Sequence, residues 1–191
     1  MKFIEALLPV ISVIGIYVAR LIELKTDRGI IPGTVKETVT LRLFMLAGTL
    51  MLGGGILEFF LRGSGLRWWS FGLGWTCALI SFAIRKRAIR ALGRFWSLHV
   101  EIRDNHSFVR SGPFRFVRHP TYLSMILELC SLGLILNAVF TPVLVAGIFI
   151  PALILRVRIE ETALVEKFGD AYREYQRTTP ALIPYKLIRT E

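Results

Sequence analysis

The 191-residue chain carries 24 Lys and Arg against 14 Asp and Glu, a net charge of +10, yet 53% of it is hydrophobic. Its mean hydropathy is +0.55. That length fits one domain, residues 1–191, and the apolar runs leave too little soluble surface for a nucleic-acid interface, so the positive charge is assigned to membrane lipid. Cys77 and Cys130 sit inside apolar runs without CxxC spacing, which argues against a disulfide framework or a zinc site.

A bilayer core takes about 20 apolar residues as a helix. The first candidate span is Phe3 to Ala19, read as uncleaved because no A-x-A pattern precedes Arg20. The second runs from Leu41 to Leu61 and contains Gly53-Gly54-Gly55, which lacks the Lys-Ser/Thr of a phosphate loop and suits close helix approach. The third, Leu66 to Ile84, opens on Trp68-Trp69, as an interfacial aromatic belt would. After a polar segment, Arg85 to Arg118, come Tyr122 to Leu136 and Ala138 to Leu155, separated by Asn137. These two read as a tight helical hairpin. The chain is charged and helical in pattern beyond Arg156 and closes on "ALIPYKLIRTE".

The expected fold is therefore all-α: an integral membrane bundle of about five transmembrane helices. Lys and Arg crowd the segment before the fourth span and the tail, and are missing from the turn at Asn137. The positive-inside rule puts both basic segments in the cytoplasm and the N-terminus on the opposite side. The loop from Arg20 to Thr40, with Lys25, Arg28 and Lys36, agrees.

The hairpin returns the chain to its starting face, so the region of Arg156 should come beside that of His119. In "RHPTYL", His119-Pro120 reads as a helix start, since proline suits the first helical position. The N–H groups of Thr121, Tyr122 and Leu123 are then expected to point at an incoming anion. In "LRVRIEE", Arg156 and Glu160 are four apart and share a helix face, as an ion pair or as a clamp for a zwitterion. Phe108, Phe114 and Phe116 offer apolar faces on which an adenine could stack and which attract a sulfonium. His99, His106 and His119 form no i,i+4 pair and no HExxH, so no metal is expected. Glu128, an acid inside a span, either orients a catalytic group or pairs across helices.

"GPFRFVRHPTYL" (112–123), "EE" (160–161), "FGDAYREY" (168–175) and "ALIP" (181–184) together resemble the isoprenylcysteine carboxyl methyltransferase family, within a wider group that includes phospholipid N-methyltransferases. The resemblance covers roughly residues 93–184. The chain then divides into three N-terminal spans (1–84), the first two of which match the family only in hydrophobicity, and a catalytic half (85–191) with a helical hairpin at 120–155 and a C-terminal tail. The resemblance also implies S-adenosylmethionine as cofactor, in a cytoplasm-facing pocket built by the loop before span four and the C-terminal helix. The cofactor contacts it implies are His99, His106, Ser107, Phe108, Val109, Phe114, His119, Pro120, Thr121, Tyr122 and Glu160. Arg156 is implied as the catalytic, substrate-binding residue that holds the acceptor's carboxylate. Phe114 stands where tyrosine is common in the family, so a hydroxyl contact is missing there.

The function this implies is methyl transfer to a lipophilic acceptor arriving from the bilayer, foremost O-methylation of an isoprenylcysteine-type carboxylate. N-methylation of a phospholipid or lipid amine, a sterol-type reduction with NADPH, and a non-catalytic transporter or scaffold stay open as alternatives. Oligomeric state has no signal in the sequence.

Overall fold

The computed structural model describes residues 3–25, 34–35, 38–93, 101–102 and 108–184. Among them are six α-helices: α1 (Phe3–Lys25), α2 (Val39–Leu61), α3 (Trp68–Leu92), α4 (Pro120–Leu136), α5 (Phe140–Phe168) and α6 (Asp170–Thr178). The fold is helical throughout, apart from a two-residue antiparallel ladder, β1 (Thr34–Val35) against β2 (Glu101–Ile102), with Thr34 opposite Ile102. That ladder joins the α1–α2 and α3–α4 connections at one end of the bundle.

Helical periodicity accounts for the core. In α2 the buried positions Thr40, Phe44, Ala47, Met51, Gly55 and Glu58 recur every three or four residues, forming one inward stripe. In α3 the stripe is small and polar: Ser70, Gly74, Ala78, Ser81 and then Arg85. Small residues let helices approach where an apolar solvent gives them no hydrophobic reason to associate. A Cβ on Gly74 would lie 2.6 Å from Ile135 Cγ1 and 3.0 Å from the Ser131 carbonyl, so α3 and α4 meet backbone to backbone there. Ser81 Oγ adds a 2.7 Å hydrogen bond to the Ser124 carbonyl. In the three-glycine run, Gly55 abuts Leu136 and Gly54 abuts Thr141, whereas Gly53 faces open space. The outward faces are apolar instead, with Leu61, Trp68, Trp69, Phe140 and Val143 exposed.

By length and composition, α2 and α5 are apolar enough to cross a membrane, and α4 is a shorter apolar helix. Five such helices were expected from the sequence. The 17 residues of α4 rise about 25 Å. The last turns of α3 carry Arg85, Lys86, Arg87 and Arg90. Helix α4 is thus at the short end of what spans a bilayer, and α3 mixes apolar residues with Trp, Ser, Gly and a basic last third.

The turn at Asn137 is where the alternating hydropathy places it. Asn137 takes the left-handed conformation (φ 50°), which asparagine tolerates at a helix end, and the Ala138 N–H closes on the Gly133 carbonyl at 3.0 Å. The first N–H groups of a helix lack partners within it. Here Glu58 of α2 supplies them, accepting from Val139 and Thr141 N–H at 2.7 Å and from Phe140 N–H at 3.1 Å. Arg62 joins Glu58 to the Asn137 carbonyl. The arms then part company: α4 packs chiefly on α3, and α5 on α2. They meet again through side chains at the opposite end.

Glu128 pairs across helices. Arg85 Nη1 of α3 reaches Glu128 Oε2 of α4 at 2.5 Å, and Arg85 Nε lies 2.7 Å from Glu23 Oε2 of α1. Arg20 approaches Glu128 at 4.0 Å and Glu23 at 3.1 Å. The buried charges of three helices thus neutralise one another, which resolves the choice the sequence left open.

Candidate active site

The polar end of the bundle gathers the end of α5, the start of α4, the start of α2 and helix α6. Just before α4, Arg118 N–H donates to the Pro180 carbonyl at 2.9 Å and His119 N–H to the Ala181 carbonyl at 3.0 Å. "RHP" and "ALIP" are therefore paired backbones. Proline opens α4 at Pro120, as the sequence predicts, and is fully buried.

The expected row of open N–H groups is corrected at Leu123, whose N–H donates to the His119 carbonyl at 3.2 Å within the helix. The anion beside this helix start is one the chain provides. Glu161 Oε1 accepts from Arg118 Nε at 2.7 Å and sits 2.9 Å from His119 Nε2. A carboxylate only accepts, so Nε2 carries the hydrogen. Gln176 Nε2 of α6 donates to the other Glu161 oxygen at 3.0 Å, and Arg118 Nη1 donates to the carbonyls of Gln176 and Thr179. Glu161 and Arg118 thus lock α6 onto α4 and α5.

One helical position earlier, Glu160 does something different. The Tyr122 hydroxyl donates to Glu160 Oε2 at 2.6 Å and accepts from Arg156 Nε at 3.1 Å. Among the described residues no ion pair joins Arg156 directly to Glu160, although four-residue spacing would favour one. Arg156 Nη1 also donates to Thr40 Oγ1 at 3.1 Å. His119 stacks on Tyr122 with ring centroids 5.4 Å apart, and its Nδ1 is 3.7 Å from Glu160 Oε2. Arg156 and His119 are each 3% exposed, whereas the Glu160 side chain keeps 33% of its surface open.

Of the residues the sequence singled out, His119, Tyr122, Arg156 and Glu160 converge, with Pro120 and Thr121 in the same helical turn. Thr121 is half-buried, and its carbonyl accepts from Ser124 Oγ at 2.7 Å. Phe108 and Phe114 lie on the α6 side. The Phe108 ring packs on Phe168, Tyr172 and Tyr175, with the Arg110 guanidinium 4.5 Å from its centroid. Phe114 is buried in a 3-10 turn, Gly112–Arg115, and its carbonyl accepts from the Tyr175 hydroxyl at 2.5 Å. Burial pushes the Tyr175 phenol up to about 12, against the opposing pull of Arg118 and Arg110, so it stays a donor. Burial also raises Tyr172, helped by Glu161 and Glu160. Val109 is half-buried, while His99, His106 and Ser107 lie outside the described residues.

Four participants were missed as site residues: Thr40, Arg118, Glu161 and Gln176. Glu161 had a signal in the paired "EE", and Arg118 stands in the same motif as His119. Thr40, 116 residues from Arg156, had none. Among the described residues no group of three or more His, Cys, Asp and Glu is placed to hold a metal. A shallow surface groove runs along Arg158, Ile159, Thr162, Ala163 and Glu166.

Comparison with known proteins places this arrangement. The model of the isoprenylcysteine carboxyl methyltransferase (ICMT) family matches residues 73–166. Protein-S-isoprenylcysteine O-methyltransferase B of Arabidopsis thaliana is 26% identical over 162 residues, 81% of this chain and 82% of its own. Protein-S-isoprenylcysteine O-methyltransferase A of the same plant is 25% identical, covering 92% of this chain and 90% of its own. The cobalt-zinc-cadmium resistance protein CzcN of Cupriavidus metallidurans is 29% identical over 107 residues, 56% of this chain and 49% of its own. The matched stretch holds Arg118, His119, Tyr122, Arg156, Glu160 and Glu161 together, and through it and these relatives the chain is similar to the isoprenylcysteine carboxyl methyltransferase family.

Proposed function

We propose that this membrane methyltransferase moves a methyl group from S-adenosylmethionine to the carboxylate of an isoprenylcysteine-type, lipid-anchored acceptor. In this reading α1 to α5 each cross the bilayer, the polar end of the bundle faces the cytoplasm, and the N-terminus lies on the other side. The observation that carries the proposal is the Arg156–Tyr122–Glu160 chain. A buried cation and a partly open anion are held apart by one hydroxyl, at the polar end of a bundle whose outer faces are apolar.

The donor set suits the cofactor. Glu160, a third exposed and contacted by Tyr122 and His119, is an acid with capacity for an ammonium group. His119 and Tyr122 stack beside it as a polarisable wall. Pro120 and Thr121 share the helical turn of that wall, Phe108 and Phe114 pack on the α6 side, and Val109, with His99, His106 and Ser107, belongs to the segment that precedes it in the chain. When bound, S-adenosylmethionine would supply an electrophilic methyl carbon, the acceptor oxygen forming its bond to that carbon as the carbon–sulfur bond breaks and the neutral thioether leaves.

An acceptor carboxylate is already ionised near neutral pH, so no residue needs to remove a proton. What the chain supplies is alignment and dryness. Arg156 binds the carboxylate and turns one oxygen toward the methyl group, a gain in effective concentration more than in chemistry. The lipid-facing surroundings exclude water, which strengthens each charge contact. Arg156 also selects: a buried guanidinium welcomes an anion and repels a protonated lipid amine.

Calorimetry on detergent-purified protein tests the reading. S-adenosylmethionine is expected to bind the wild type, and Glu160→Ala to remove the binding heat. A wild type that binds NADPH and not S-adenosylmethionine contradicts it.

A further inference from the structure

Helix α3 turns one face inward, through Ser70, Gly74, Ala78, Ser81 and Arg85, and leaves the opposite face exposed. On that outer face Leu79, Ala83, Lys86 and Arg90 follow at steps of four, three and four residues, which makes one continuous row. Ile80 and Arg87, two turns apart, lie beside it. All six are exposed, and the row changes character once. Down to Ala83 it is apolar, with Leu79 61% and Ile80 46% exposed; from Lys86 it is cationic. At the other end of the helix Trp68 and Trp69 are exposed as well. From Trp69 to Lys86 the helix rises about 25 Å. That approaches the ~30 Å hydrocarbon depth of a bilayer, since a lysine stem reaches outward to the headgroups.

The chain supplies these charges with no counter-ion. Among the described residues no acid pairs with Lys86, Arg87 or Arg90, whereas Arg20, Arg62, Arg118, Arg173 and Arg177 each hold an Asp or Glu. Lys86 and Arg90, one turn apart, repel each other unless an anion from outside sits between them. We propose that this face of α3 binds one anionic phospholipid of the cytoplasmic leaflet. Its phosphate takes Lys86, Arg87 and Arg90, and its acyl chains lie along Leu79, Ile80 and Ala83. The proposal uses the membrane-spanning reading above and not the methyl transfer. Arginine meets a phosphate with two parallel donors and lysine with a compact charge. A water-soluble phosphate would use the cations alone; the apolar row directly above them favours a ligand with a chain. This face points away from α4, so the lipid is a ligand separate from the acceptor at Arg156. It also has a place in the fold. The turn Gly112–Arg115 packs on the last turn of α3, where a Cβ on Gly112 would lie 3.5 Å from Ala91 Cβ, and its Phe114 carbonyl takes the Tyr175 hydroxyl. A lipid held at Lys86 and Arg90 fixes the depth of the helix end from which that segment hangs.

Native mass spectrometry of the full chain in neutral detergent tests this. Titration with phosphatidylglycerol, or with phosphatidylcholine of the same acyl chains, counts the bound lipids and gives each Kd. An interfacial cation contributes roughly fivefold to binding of an anionic lipid, so three predict one phosphatidylglycerol bound about a hundredfold more tightly than phosphatidylcholine. Lys86→Gln with Arg90→Gln should weaken phosphatidylglycerol about 25-fold and leave phosphatidylcholine within about twofold. Arg173→Gln with Arg177→Gln removes the same charge from α6 and should leave both lipids within about twofold. If the α3 double variant does not fold, Arg90→Gln alone is read the same way, with a loss of about fivefold. The proposal is overturned if the wild type does not distinguish the two lipids, or if the α3 variant keeps its phosphatidylglycerol affinity. An α6 variant that loses as much as the α3 variant also overturns it, by making net charge the cause. None of these readouts involves methyl transfer, so either reading can fail without the other.

Discussion

The Tyr122 hydroxyl stands between the Arg156 guanidinium and the Glu160 carboxylate, 3.1 Å from one and 2.6 Å from the other. Two opposite charges on successive turns of one helix are thereby kept from neutralising each other, and each stays able to hold a ligand group of its own.

Removing that hydroxyl should collapse the arrangement. In Tyr122→Phe, Arg156 and Glu160 are expected to pair directly, and S-adenosylmethionine affinity should fall about tenfold, the worth of a hydrogen bond to a charged group. The ring stacked on His119 remains, so the melting temperature should move little. Calorimetry alongside a thermal melt checks both; unchanged affinity would mean that the hydroxyl is incidental.

The Arg85–Glu128 pair makes a stability prediction. Arg85 is 1% exposed, and losing the Glu128 charge leaves Arg85 and Arg20 to share Glu23 alone, an uncompensated buried cation that costs about 3 kcal/mol. Glu128→Gln should therefore unfold in detergent well before wild type. The double change Arg85→Met with Glu128→Leu removes the charges together and should recover most of the loss. If the double variant melts no higher than the single one, the pair is not what holds α3 to α4.

Tyr175 gives a prediction in pH. Its phenol is raised by burial to about 12, so the folded state favours the protonated form. That contribution is complete below the ordinary tyrosine value of about 10 and disappears as pH climbs through about 12. The tail helix α6, tied to Phe114 by this hydroxyl, should become protease-sensitive across that window. Tyr175→Phe should show a smaller alkaline step, the remainder belonging to Tyr172, which burial also raises.

What could be read ahead of the structure was set by local rules. Asn137 flanked by two apolar runs announces a turn, and His119-Pro120 a helix start, because cap conformations depend on a few adjacent residues. The convergence of His119 with Glu160 followed from counting reversals of direction. The partners that travel furthest were not legible: Glu58 capping α5, Arg85 joining Glu23 to Glu128, and Thr40 on Arg156. Each is a polar residue in an apolar stretch whose partner is chosen by helix packing, which hydropathy does not encode. The α6 break was also hidden in a charged pattern that reads as continuous helix, although Gly169 turns the chain there with φ 56°.

The most direct measurement is the fate of a labelled methyl group. Purified protein given S-adenosylmethionine tritiated on its methyl and a farnesylcysteine acceptor should yield a product whose label is released as methanol by mild base. Arg156→Leu should lose that product while still binding S-adenosylmethionine. A label that resists base, as on a lipid amine, or an Arg156→Leu variant as active as wild type, would contradict the assignment of a carboxylate acceptor held by Arg156.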